Sequence, residues 1–211
     1  MVRRLELDIK VGVLSLQGAF KEHIIKIRKC GADALEVKFP AQLKCIDGLI
    51  IPGGESTTIN KLFKEYKFKE ALDEFYKKGK PIFGTCAGLI LLAENIQGEG
   101  KGLGYIDINV QRNAYGRQVD SFEELIDIDF NQSENKVNQD SEKIKLKSIF
   151  IRAPKIISTG KDVKIMAKLS DEAVMVRNNN VVVSAFHPEL TDDLRVHQYF
   201  INMIKRYKGE N

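Results

Sequence analysis

Five residues, Gly84-Thr85-Cys86-Ala87-Gly88, constrain this chain more than any others. A short apolar run, Pro81 to Phe83, leads into them, and the apolar stretch Leu89-Ile-Leu-Leu-Ala-Glu94 follows directly. An apolar run that passes through small residues into a helix-like run reads as a strand turning sharply into a helix, with Cys86 at the apex. Small neighbours suit such a turn because the strand and helix backbones approach closely there. A thiol at that apex faces the positive end of the helix peptide dipoles, which stabilises negative charge on sulfur. The next amide, that of Ala87, is placed to donate to an oxyanion. The competing reading is a small buried cysteine at a strand-to-helix turn.

A base for such a thiol is offered far down the chain. Val181-Val-Val-Ser-Ala-Phe186 reads as a buried strand, and His187-Pro188-Glu189 follows it immediately. A strand end aims a side chain rigidly, so His187 can accept the proton of Cys86 while Glu189 orients the imidazole and stabilises its charged form. Of the three histidines, His23 and His197 fall in helix-like stretches, which leaves His187 as the best-placed base. An ordinary surface turn is the alternative for His-Pro-Glu.

A third apolar strand, Cys45-Ile-Asp-Gly-Leu-Ile-Ile-Pro52, ends in Gly53-Gly54-Glu55-Ser56-Thr57-Thr58. Paired glycines after a strand let backbone N–H groups point at a ligand, as an oxyanion hole requires. The lysine of a Walker phosphate loop is missing from this stretch. Ser56 or Thr57 has the alternative role of a helix cap.

The 211 residues suit one well-buried domain, and 43% of them are hydrophobic. The formal charge of +4 arises from 33 basic and 29 acidic residues, a mixed surface without the basic stripe of a nucleic-acid binder. No run is long and apolar enough for a membrane helix, and no signal peptide is visible. Three irregularly spaced cysteines form neither a disulfide framework nor a zinc pattern, which points to a reducing cytoplasm.

Up to Glu94, strands and helices alternate. Ile9–Leu16, Ala34–Phe39 and Asp47–Pro52 read as strands, and Ala19–Cys30, Thr57–Tyr66 and Phe68–Lys78 as helices. This predicts a largely parallel sheet covered on both faces, with ligands at the carboxyl ends of its strands. Beyond the glycine-rich 98–104, strands dominate: Tyr105–Gln111, Ile126–Phe130, Ile144–Ile151, Val163–Leu169, Ala173–Val176 and Val181–Phe186, before a last helix at Asp193–Tyr207. The polar stretch 131–142 reads as a mobile loop outside every motif. The expected fold is therefore α/β, a single domain over residues 1–211, with a mostly parallel central sheet flanked by helices on both faces and additional antiparallel strands in the C-terminal half.

Segments spread over most of the chain carry a resemblance. They are Val13-Leu-Ser-Leu-Gln-Gly18, Ile51-Pro-Gly-Gly-Glu-Ser-Thr-Thr58, Phe83-Gly-Thr-Cys-Ala-Gly88, Arg112-Asn-Ala-Tyr-Gly-Arg-Gln-Val-Asp-Ser-Phe122, Phe150-Ile-Arg-Ala-Pro154 and Phe186-His-Pro-Glu-Leu190. The cysteine and His-Pro-Glu motifs resemble the class I, triad-type glutamine amidotransferases, which have a flavodoxin-like sheet. The Gly-Gly-Glu-Ser, Arg-Asn-x-x-Gly-Arg-Gln and Ile-Arg-Ala-Pro segments are similar to the narrower family of glutaminase subunits of pyridoxal 5′-phosphate synthase.

The resemblance implies hydrolysis of L-glutamine to glutamate and ammonia by a Cys86–His187–Glu189 triad through a glutamyl thioester. It implies an oxyanion hole from Gly54 and Ala87, and glutamine contacts from Gly54, Glu55, Ser56, Arg112, Ile151 and Arg152. No cofactor or metal is implied for the glutaminase. The implied partner is a synthase subunit that receives the ammonia through a tunnel and makes pyridoxal 5′-phosphate, in a hetero-oligomeric complex that raises a weak basal activity. Three alternatives remain at this stage: a glutaminase for a different synthase, a γ-glutamyl hydrolase or cysteine peptidase of the same architecture, and a catalytically silent subunit.

Overall fold

The computed structural model describes residues 9–112, 121–130 and 144–209. The loop expected at 131–142 lies outside the described residues. Thirteen strands fall in the described part: β1 Lys10–Leu14, β2 Asp33–Val37, β3 Gly48–Ile51, β4 Ile82–Thr85, β5 Ala93–Ile96, β6 Gly100–Lys101, β7 Ile106–Gln111, β8 Ser121–Ile128, β9 Ile144–Ile151, β10 Lys155–Thr159, β11 Lys164–Leu169, β12 Glu172–Arg177 and β13 Val181–Ser184. Five α-helices accompany them: α1 Phe20–Lys29, α2 Ser56–Glu65, α3 Phe68–Lys77, α4 Ala87–Leu92 and α5 Arg195–Lys208. The main sheet runs β2-β1-β3-β4-β13-β12-β11-β8-β9, and a smaller sheet runs β10-β7-β5-β6.

The first five strands of the main sheet are parallel to one another, and from β12 outward the pairing is antiparallel. The sequences explain the difference. β3 (GLII), β4 (IFGT) and β13 (VVVS) are buried at every position, because helices cover both faces of the parallel half. β9 instead alternates, with Leu146, Ser148 and Phe150 buried and Lys145 and Lys147 exposed, as a strand with one wet face must.

Strand β4 assigns the helices to their faces. Its Phe83 ring meets Phe200 and His197 of α5, with centroids 5.7 and 6.3 Å apart, and His23 of α1 at 6.1 Å. Gly84, one residue on, faces α4 on the other side, and α2 packs against α4 there. Helices thus lie on both faces, and the chain is a single α/β domain of the expected kind. Among the described residues no helix is long and apolar enough to cross a membrane.

Most expected elements lie within two or three residues of their observed bounds; the strand expected at Ile126–Phe130 begins earlier, as β8 Ser121–Ile128. Three places differ in kind, the smallest being β6, an unexpected two-residue strand inside the glycine-rich 98–104. The apolar run after Cys86 was expected to stay helical to Glu94, but α4 ends at Leu92 and β5 begins at Ala93. Loop amides take the carbonyls that would have continued the helix. Leu103 donates to Leu91 O at 2.8 Å, Tyr105 to Leu92 O at 3.0 Å and Gly104 to Ala93 O at 3.1 Å. An apolar run this short suits helix or strand equally, so tertiary partners decide. Strand β10 was not expected at all. It follows Pro154 and pairs with β7 through an irregularity between Ile156 and Ser158.

Candidate active site

Strands β3, β4 and β13 are adjacent and parallel, so their carboxyl ends open at one edge of the sheet. The three predicted site segments follow those ends directly. Cys86 sits between β4 and α4 with φ 48° and ψ −101°. A side chain held in this sparsely populated region costs on the order of 1–3 kcal/mol, which the surroundings must sustain. They do so on two sides. The Cys86 N–H donates to Ser184 O on β13 at 2.8 Å. Gly88 lets the helix lie against β3, where a Cβ would stand 2.1 Å from Ile51 O. Both glycines of the five-residue motif therefore have steric reasons, since a Cβ at Gly84 would stand 2.8 Å from the carbonyl carbon of Gly88.

His187 is fixed by its own backbone, whose N–H donates to Ile149 O on β9 at 2.8 Å. Its ring stands beside Cys86 over Gly53, and the thiol favours a proton on the imidazole. On the other side its Nδ1–H donates to Glu189 Oε1 at 2.8 Å. Burial works against a charge on this imidazole, but Cys86 and Glu189 outweigh it and raise the pKa to about 10. Glu189 is 2% exposed, and its side chain is fully buried. Burial alone would favour its neutral acid, yet neighbouring His23 and His187 hold its pKa below the ordinary value. Gly53 passes beneath the pair so closely that a Cβ there would stand 2.4 Å from His187 Cε1 and 3.2 Å from Cys86 Cβ. The Gly53 N–H is tied to the Thr85 hydroxyl oxygen at 2.9 Å.

A cavity of about 260 Å³ opens over the sulfur, lined by Gln17, Gly54, Glu55, Cys86, Ala87, Ile90, Arg112, Ile151, Arg152 and His187. That is below the roughly 300–1,000 Å³ of drug-sized sites. Ile151 O lies 3.8 Å from Cys86 Sγ. Ala87 opens α4, so its amide is among those a helix leaves unpaired at its start. Arg152 has φ 42°, a second non-glycine residue in the left-handed region at this cavity.

The far end of the cavity is polar. Glu55 accepts the N–H groups of Thr57 and Thr58, at 3.1 and 2.9 Å, and both of their hydroxyls. The Thr57 hydroxyl, followed by these other donors, lowers the Glu55 pKa to about 2. Arg112 donates to both oxygens of Glu99, at 3.0 and 2.9 Å, and approaches Glu55 at 3.9 Å.

The structure thus brings nine of the ten sequence-predicted residues to one place, eight lining the cavity and Glu189 behind His187. Ser56 opens α2, and its reading as a glutamine contact falls on a side chain outside the described part. Gln17 was missed: its Oε1 accepts the Glu55 N–H at 3.0 Å. The signal was its place beyond the end of β1, at the same sheet edge. His23 and His197 were set aside as helical, but both are fully buried, His23 beside Glu189 and Thr85 and His197 against His23. Among the described residues no group of three or more His, Cys, Asp or Glu is placed to hold a metal ion.

A strained cysteine at a strand-to-helix turn, set beside a hydrogen-bonded His–Glu pair and a glycine loop, defines an amidotransferase-type thiol site. Comparison places it further. Residues 13–206 match the model of the SNO glutamine amidotransferase family, and the chain belongs to that family. It is 46% identical over 200 residues to the pyridoxal 5′-phosphate synthase subunit PdxT of Thermosipho africanus, covering 94% of this chain and all of that one. The PdxT subunit of Anoxybacillus flavithermus is 49% identical over 201 residues, covering 95% of this chain and 99% of its own. A crystal structure of a glutamine amidotransferase superposes with a TM-score of 0.82 at 42% identity, covering 92% of this chain and 98% of that one. A structure of PurLQS from Thermotoga maritima, at 17% identity and a TM-score of 0.70, shares the fold.

Proposed function

We propose that this chain is the glutaminase subunit of a pyridoxal 5′-phosphate synthase. It hydrolyses L-glutamine and passes the ammonia to a synthase subunit that builds the pyridoxal phosphate ring in vitamin B6 synthesis, in the cytoplasm. The observation that supports the chemistry most is the placement of Cys86 beside the hydrogen-bonded His187–Glu189 pair at one edge of the sheet. The relatives' name supports the choice of partner.

The sulfur of Cys86 attacks the side-chain carbonyl carbon of glutamine while His187 holds the thiol proton. The oxyanion lies against the N–H groups of Gly54 and Ala87, where each preorganised donor contributes about 3 kcal/mol to the barrier. The C–N bond then breaks, and His187 gives its proton to the departing ammonia. A glutamyl thioester remains on Cys86. Water, deprotonated by His187, attacks it, and glutamate leaves as sulfur regains its starting state. Glu189 keeps the imidazole in the tautomer this sequence needs and stabilises its charged form. Arg112 and Arg152 are the groups for the substrate α-carboxylate, and Glu55, ionised at all working pH, is the group for its α-ammonium. Ser56 and the backbone at Gly54 and Ile151 complete the contacts.

The test is glutamine hydrolysis by the full-length chain with and without a pyridoxal 5′-phosphate synthase subunit. Ammonia release that depends on Cys86 and rises with the synthase is expected. Cleavage of γ-glutamyl peptides in preference to free glutamine would reject the substrate, and turnover unaffected by the synthase would reject the partner.

A further inference from the structure

Beyond Glu189 the polar chain does not stop. Its second oxygen, Oε2, is buried with no hydrogen-bond partner, and the Nε2 of His23 stands 3.4 Å away. His23 is wholly enclosed, with its Nε2 also 3.3 Å from Thr85 Oγ1 and its Nδ1 3.0 Å from His197 Nε2. His197 is equally enclosed, and its Nδ1 has no partner.

Two proton orders are open to this pair, and the surroundings choose between them. If His23 carried its proton on Nδ1, its Nε2 lone pair would face the Glu189 carboxylate. That carboxylate would then keep an unpaired oxygen in the protein interior, and His197 would bury an unpaired N–H. In the opposite order His197 Nε2–H donates to His23 Nδ1, and His23 Nε2–H is directed at Glu189 Oε2. A charged acceptor is the stronger one, and orphaned buried N–H groups are rarer than unused lone pairs. Burial lowers the pKa of both His23 and His197, so two neutral rings feed one carboxylate.

We propose that His23, carried on α1 and locked in one tautomer by His197 on α5, is a positioning residue that holds Glu189 through its otherwise free oxygen and so fixes the His187 ring against Cys86. This rests on the reading of Cys86, His187 and Glu189 as the catalytic triad. The titratable and charged groups facing the pair are His187 with Cys86 beyond it, Glu22 on α1 next to His23, and Lys26, which acts on His197 and pairs with Asp192 at 3.7 Å. The same ring also reaches Thr85, whose hydroxyl accepts the Gly53 N–H, so the histidine pair braces the carboxylate and the root of the glycine loop together.

The test compares His23→Asn with His23→Gln in the full-length chain, reading glutamine hydrolysis against pH. Glutamine retains a donor at the position of Nε2, whereas asparagine carries one only near Nδ1. For His23→Asn, kcat falls about ten- to a hundredfold with KM little changed. The acid limb of kcat/KM also moves to higher pH, because Glu189 loses a donor to its ionised form. His23→Gln recovers most of the loss and restores the limb. Equal impairment of both variants, with lowered melting temperatures and unmoved limbs, would reduce His23 to a packing residue and overturn the proposal. The ¹⁵N imidazole shifts of the unmodified chain test it without substitution: a neutral Nε2–H tautomer of His23 is required, and an Nδ1–H tautomer rejects it. Ammonia release that survives Cys86→Ala would instead remove the underlying triad reading, whatever His23 does.

Discussion

At the sulfur end of the cavity each group is anchored to a buried strand or helix, whereas at the Glu55–Arg112 end the charged side chains are occupied by partly exposed partners. Cys86 is tied to β13, His187 to β9, and Glu189 faces α1. Glu55 instead caps its own helix α2, and Arg112 is spent on Glu99. The first arrangement is rigid before any substrate arrives, as bond-making chemistry requires. The second must exchange internal partners for those of the ligand, which suits recognition and release.

The largest effect expected from this contrast is at the sulfur. Cys86→Ala should lower kcat on the order of a millionfold, as loss of a nucleophile does elsewhere, with glutamine binding measured by calorimetry little changed. A loss of binding as large as the loss of rate would dissolve the division between the two ends. Next, Glu189→Gln should reduce kcat by about a hundred- to ten-thousandfold through the wrong His187 tautomer. It also removes the charge that raises the pKa of His187. In the unmodified chain activity should fall as pH rises through about 10, where the imidazole loses the proton meant for ammonia; in the variant that limb moves to lower pH.

The same pKa has a consequence for stability. The folded value lies above the ordinary 6.5. The stabilisation from protonated His187 is therefore complete below about pH 6.5 and is lost as pH rises towards 10. Denaturation midpoints measured across that window should decline in the unmodified chain and flatten in Glu189→Gln.

At the Glu55–Arg112 end, the proposed recognition end, the expected effects are smaller and fall on KM. Arg112→Ala should raise KM about ten- to a hundredfold while kcat changes less, the cost of a charge-assisted contact. Glu99→Gln should raise KM by no more than about fivefold, because a half-exposed ion pair positions the guanidinium weakly. A fall in KM would mean that Glu99 competes with the substrate carboxylate, and the far end would then be self-inhibited.

How much of this was legible in the sequence follows the same division. Buried parallel strands announce themselves as unbroken apolar runs, so β3, β4 and β13 and the residues just past their ends were readable one by one. The cavity's far end came only by resemblance, since Arg112 and Arg152 as letters are equally surface ion pairs. Strand β5 was hidden because what ends α4 is a set of amides from residues 103–105, which no local pattern in Leu89–Glu94 encodes. The buried histidines were hidden differently. The sequence placed His23 and His197 in helix-like stretches and no further, and only the packing of α1 and α5 on one side of β4 brings them to 3.0 Å from each other.

The backbone angle at Cys86 sets the proposed catalysis and durability in opposition at a single position. With φ at 48°, any side chain there is held against its preference, and glycine alone is at ease. A Cys86→Gly chain should therefore melt above the Cys86→Ala chain, by roughly 1 kcal/mol of stability. On the proposed mechanism, turnover is what the strained sulfur supplies in exchange for that stability.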